Sequence, residues 1–196
     1  MGGSRSVKAR WERNYPVHVV VYDEKTVRRY LALLTDALVV RQLQPWHANL
    51  GKRQVKSPKV YVRDSGRLHE LLGIDDQRDL LHHPKLGASW EGFAIEQVLA
   101  TEPHTDAAFW ATHQGAEIDL ILQRKGKLYG VEVKRVDAPR VTPSIRIALA
   151  DLGLERVAIV YPGSKRYPLA ERVEAVPLAS LAEPGRLFSA EWAAAV

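Results

Sequence analysis

The sequence has no cysteine, which excludes disulfides and thiolate metal sites. That absence fits a cytoplasmic protein, and a cytoplasmic location is the expectation. The start, "MGGSRSVKARW", carries charge but no apolar core, so it does not read as a secretory signal. No apolar run approaches the length of a membrane span, and no membrane partner is expected. Internal repeats and low-complexity tracts are also missing. So is G-x-x-x-x-G-K-[ST], the loop with which many ATPases hold phosphate, and nothing in the chain argues for ATP hydrolysis.

What is present is ordinary for a globular chain: 196 residues, 46% hydrophobic and 26% charged. The charge is unevenly placed. Residues 1–70 hold 14 Lys and Arg against 6 Asp and Glu, while residues 71–196 hold 14 against 17. A basic first part points to an anionic partner, with nucleic acid the commonest, or to a solvated basic surface.

Two units are expected. In the first, about 1–80, "YDEKTVRRYLALLTDALVVRQLQPW" reads as a helix and then a strand. Asp23 or Thr26 caps the helix, and Val27, Tyr30, Leu31 and Leu34 recur at helical spacing. "VHVVVY" reads as a strand. A basic loop with Lys52, Arg53, Lys56 and Lys59 leads into Val60 and Val62 of another strand, and "SGRLHELLGI" into a short helix. A helix followed by two strands and a basic loop resembles part of a winged helix. Arg28 and Arg29 on the helix and the four basic loop residues are the candidate nucleic-acid contacts.

The second unit, about 85–196, reads helix 88–101, strands 106–112, 116–123 and 128–135, helix 143–152, strand 156–161 and a terminal strand near 172–177. That pattern predicts an α/β core with a mixed central sheet flanked by helices. Glu91 falls within the apolar arc of Trp90, Ala94, Ile95, Val98 and Leu99, whereas Glu96 falls outside it and is expected to face water. Glu117 and Asp119 share one face of their strand, and Ile118, Leu120 and Leu122 the other. Glu132 and Lys134 share a face of the next strand. A tight turn at Lys125-Gly126 sets Asp119 opposite Glu132 and Glu117 opposite Lys134. Two facing carboxylates repel unless a cation lies between them, and Mg²⁺ takes such oxygen ligands. Glu91 has other possible partners, Lys134 or a buried amide, and Glu132 and Lys134 also suit a plain surface strand. His82-His83 is a weak metal pair, because adjacent side chains diverge.

A helix Glu (Glu91), a strand Asp (Asp119) and Glu-x-Lys (Glu132, Lys134 in "VEVK") resemble the PD-(D/E)XK nuclease superfamily. The proline common before the first strand acid is replaced by Ile118. "TVRRYLALLTDALVVRQLQPW", "KSPKVYVRDSGRLHELLG", "LGASWEGFAIEQVL", "GAEIDLIL" and "GVEVKR" are similar, in order and spacing, to the C-terminal domain of unknown function that follows AAA-type ATPase domains in prokaryotic proteins. The resemblance implies a restriction-endonuclease-like core behind a winged-helix-like piece, in a fragment of a longer protein or a stand-alone relative. It implies a Mg²⁺- or Mn²⁺-dependent nuclease acting on DNA. Asp119, Glu132 and Glu91 would be metal residues, Lys134 would assist the water, and all four would be catalytic. The alternatives are a non-catalytic module that binds DNA or a partner on behalf of an ATPase domain, and an oligomerisation domain.

Overall fold

Short polar side chains start most of the helices. Asp23, Asp64, Asp76 and Thr142 each accept a backbone N–H from the first turn that follows, satisfying donors that have no partner within the helix. The structure, a computed structural model, describes residues 23–46 and 57–189. "VHVVVY" and the loop residues Lys52, Arg53 and Lys56 lie outside the described residues.

The chain divides between Val40 and Arg41. In the first unit, α1 (Glu24–Asp36) is an amphipathic helix with no buried residue, and Val27, Tyr30, Leu33 and Leu34 are exposed. Tyr61 and Arg63 of the second unit are fastened to its central helix.

Strand β1 (Val40–Leu43), which begins at the division, pairs with β2 (Lys59–Val62) of the second unit as a two-stranded sheet. Two short helices follow, α2 (Ser65–Leu71) and α3 (Gln77–His82), and then the long α4 (Leu86–Thr101). Strands β3 (Asp106–Ala111), β4 (Glu117–Arg124) and β5 (Lys127–Val133) form an antiparallel meander. Helix α5 (Pro143–Leu152) then crosses to β6 (Arg156–Tyr161), parallel to β5, and β7 (Tyr167–Ala170) and β8 (Val173–Pro177) close the chain. The strand order is β3-β4-β5-β6-β8-β7, a mixed six-stranded sheet, with a 3₁₀ turn at Leu178–Ala182 after it. The terminal strand expected near 172–177 is β8, and a separate strand, β7, precedes it at the sheet edge. It carries Pro168, which an edge tolerates because one side of the strand needs no donor.

Two apolar layers cover the sheet. Ala94, Ile95 and Val98 of α4 pack with Phe109, Leu120, Leu122, Val131 and Val133. Ile145 and Ala148 of α5 pack with Trp110, Ile118, Ile121 and Val157. Each fully buried aliphatic side chain contributes about 2 kcal/mol relative to an exposed one. Both sheet faces are covered, so β4 and β5 are buried through most of their length.

The β4–β5 turn fixes the register that brings the acids together. Lys125 and Gly126 both have positive φ, 49° and 75°, the conformation of a two-residue type I′ hairpin turn. Arg124 therefore pairs with Lys127, and the ladder continues to Leu120 opposite Val131. On the other edge of β4 the register shifts: Ala108 pairs with Ile121, but Trp110 pairs with Ile118. Three steps of β4 thus match two of β3, which is a bulge at Asp119 and Leu120. The bulge corrects one expectation. Ile118 does not share a face with Leu120 and Leu122; it packs in the α5 layer, whereas they pack in the α4 layer.

Candidate metal and phosphodiester site

The site forms where the β4 bulge, the end of β5, α4 and β2 converge. Asp119 is buried, and its Oδ2 accepts the Val133 N–H at 3.0 Å. That bond stands just beyond the last β4–β5 pair, Leu120 with Val131, so the carboxylate takes over where the ladder stops. Its other oxygen, Oδ1, accepts from Lys59 Nζ at 3.1 Å. The bulge is what frees this side chain for both contacts.

Glu132 is buried on β5. Its Oε1 pairs with Lys134 Nζ at 2.7 Å, and its Oε2 is buried with no hydrogen-bond partner. Burial, reinforced by the Asp119 charge, pushes the Glu132 carboxyl up to about 7 despite the Lys134 ammonium. Burial alone would lower the Lys134 ammonium, but the bond to Glu132 and the charges of Glu132, Asp119 and Glu91 raise it above the usual lysine value. Lys134 is therefore a cation at neutral pH.

Glu91 comes from α4 and is half-buried. Its Oε1 accepts from Tyr61 Oη at 2.6 Å and from Lys59 Nζ at 3.1 Å. Among the described residues, these two side chains are its hydrogen-bond partners, rather than Lys134 or a backbone amide. Tyr61 comes this close because α4 has no side chain at Gly92: a Cβ there would stand 3.2 Å from Tyr61 Cδ1. Burial and the neighbouring Glu91 push the Tyr61 hydroxyl above its ordinary range, so it stays a donor.

Lys59 was expected to track phosphates from a basic loop. Instead its ammonium sits inside the acidic group, against Glu91, Asp119 and Glu117. It also lies 5.5 Å from the centre of the Phe109 ring, within cation–π range. Burial opposes its charge, but Asp119 and Glu91 outweigh that and hold it protonated. Glu117 therefore pairs with Lys59, while Lys134 pairs with Glu132. The signal for Lys59 and Tyr61 was present as K-x-Y in "KVYV", two residues on one face of a short strand.

Glu96 does not face open water. It is held by Arg41 and Arg63, with Arg41 Nη2 and Arg63 Nε each 3.0 Å from Oε2. These hydrogen bonds outweigh burial and lower its carboxyl below the ordinary value. The clamp ties both strands of the small sheet to α4 and so supports Lys59 and Tyr61. Arg28 pairs with Glu24 on exposed α1, and Arg29 is exposed on the same helix. His82 and His83 each bond local backbone, to Arg78 O and from Lys85 N, and form no pair.

The residues fit a hard divalent cation in chemistry. Asp119 and Glu132 offer carboxylate oxygens, and the orphaned Glu132 Oε2 has a lone pair to give. Among the described residues no three His, Asp or Glu side chains are gathered as a ready metal cage. A Mg²⁺ ion needs only one or two carboxylates and keeps several waters.

No helix among the described residues is long and apolar enough to cross a membrane. No solved structure matches the chain. Two uncharacterized proteins, from Mycobacterium bovis and Mycobacterium tuberculosis, are each 56% identical to it over 154 residues, which is 79% of this chain and 35% of theirs. The chain thus spans about a third of the length of these curated relatives. Residues 17–78 match the sequence model of one domain of unknown function, DUF8612. Residues 86–181, which carry Glu91, Asp119, Glu132 and Lys134, match that of another, Domain of unknown function (DUF4143).

Proposed function

We propose that residues 86–181 form a metal-dependent phosphodiesterase core of the PD-(D/E)XK type, acting on DNA with Mg²⁺ or Mn²⁺. The observation that carries this reading is the junction of Asp119, Glu132 and Lys134 at the end of the β4–β5 hairpin, with Glu132 Oε2 buried and unpaired. The order helix, three strands, helix, strand in α4 to β6 supports a restriction-endonuclease-like core. The two-stranded β1–β2 sheet supports the wing of a winged-helix-like piece before it. The cytoplasm is the compartment this reading assigns.

Asp119 and Glu132 would hold the ion, with Glu91 nearby. When bound, a divalent ion polarises a phosphoryl oxygen and acidifies a water. Lys134, a cation beside Glu132, can donate a hydrogen bond to a phosphate oxygen or to the attacking water. It does not act as the resting base, because its proton is held. Glu132, raised to about 7 by burial and the Asp119 charge, would give up its proton on holding the ion.

A second reading is a non-catalytic module that binds DNA or a partner beside an ATPase domain elsewhere in a longer protein. One observation favours it: Lys59 and Lys134 already neutralise much of the acidic group. Incubating the protein with Mg²⁺ or Mn²⁺ and labelled single- and double-stranded DNA separates the two. Cleavage that disappears in Asp119→Asn and Lys134→Ala supports the nuclease. DNA binding without cleavage in the wild type supports the module.

A further inference from the structure

Lys59 is the element of the site that the metal-dependent reading does not use. Its ammonium touches Glu91 and Asp119 at 3.1 Å each and also pairs with Glu117. These three carboxylates come from α4 and β4, whereas Lys59 opens β2. The lysine is not a loose surface cation: its side chain is 23% exposed, and the Phe109 ring stands beneath it. Its neighbour on the same strand face, Tyr61, shares the Glu91 oxygen that it binds. The end of strand β2 is held to α4 by the next residue, Arg63, through Glu96. Lys59 is thus aimed by a fixed scaffold at the oxygen atoms a divalent ion needs.

We propose that Lys59 is a tethered counter-cation, whose ammonium holds Asp119 in the resting protein and competes with a divalent ion for that carboxylate. This rests on the metal-site reading above. Asp119 has two oxygens; Val133 N–H engages Oδ2 and Lys59 engages Oδ1. A metal approaching Oδ1 meets the Lys59 ammonium 3.1 Å from that oxygen, and the two cations repel. With Lys59 in place, the ion must either displace it or bind through Glu132 and water alone. Lys59 therefore sets the metal affinity of the site without being one of its ligands. In an acidic group that has no cation of its own, the same carboxylates would repel one another and attract a metal more strongly.

The test is the Mn²⁺ affinity of the whole chain, followed by the electron paramagnetic resonance signal of free Mn²⁺. Wild type, Lys59→Met and the double variant Lys59→Met/Asp119→Asn are compared. Methionine keeps the unbranched length of the side chain and removes its charge. The expected result is Mn²⁺ binding about tenfold or more tighter in Lys59→Met than in wild type, with the gain lost in the double variant. Where Lys59→Met is less stable, Mn²⁺ should raise its Tm more than it raises that of the wild type. Equal or weaker Asp119-dependent binding in Lys59→Met overturns the competition while leaving the metal site standing. No Asp119-dependent binding in either protein overturns both together.

Discussion

Asp119 Oδ2 accepts the backbone N–H of Val133 at 3.0 Å, just beyond the Leu120–Val131 pair where the β4–β5 ladder ends. One carboxylate thus serves two purposes. It finishes a hairpin, and it presents its second oxygen to the cleft.

Asp119→Ala leaves the Val133 N–H buried without its acceptor and Lys59 without one of its counter-ions. The expected loss is about 1–3 kcal/mol in urea unfolding. Asp119→Asn keeps an acceptor for Val133 and should lose clearly less. Equal losses in the two variants would show that the backbone bond contributes nothing, and for cleavage assays Asn is the cleaner substitution.

Glu132 gives the protein a pH dependence of unusual sign for a carboxylate. Its folded value, about 7, lies above the ordinary 4.5. Between those values the folded state binds more protons than the unfolded state, so stability falls as pH rises. The contribution is complete below about 4.5 and lost as pH passes about 7. In chelator, thermal melts from pH 5 to 8 should show a wild-type decline on the order of 2 kcal/mol relative to Glu132→Gln, roughly 4–8 °C in Tm. Parallel curves for the two proteins would contradict the assignment.

Glu96 of α4 bridges Arg41 of β1 and Arg63, the residue that follows β2. Glu96→Ala strands two partly buried guanidinium groups and should cost about 1–3 kcal/mol. The more telling effect is on Lys59 and Tyr61, which the clamp positions from the end of their strand. A double-mutant cycle between Glu96→Ala and Tyr61→Phe should give a coupling of about 0.5 kcal/mol or more. Strict additivity would mean that the small sheet is held without the clamp.

The parts legible in the sequence were those set by local rules. The Lys125-Gly126 turn dictated the β4–β5 register, and the alternation of Val131 and Val133 with Glu132 dictated which side chains lie together. Helical spacing put Glu91 on the inner arc of α4, where it meets Tyr61 and Lys59. The misreadings came from contacts between distant segments. Glu96 looked solvent-facing because its arginine partners lie 55 and 33 residues away. Lys59 looked like a loop cation because nothing local says that β2 packs on α4 at Gly92. Ile118 was placed on the wrong face because a bulge is a property of the β3 pairing, invisible from β4 alone.

On the proposed reading, Asp119 and Glu132 hold a divalent cation at the end of the β4–β5 hairpin. Calorimetric titration of Mn²⁺ into the wild type and Asp119→Asn tests it most directly. Saturable binding near one ion per chain in the wild type, lost or weakened at least tenfold in the variant, is the predicted result. Identical heats in the two proteins would contradict it.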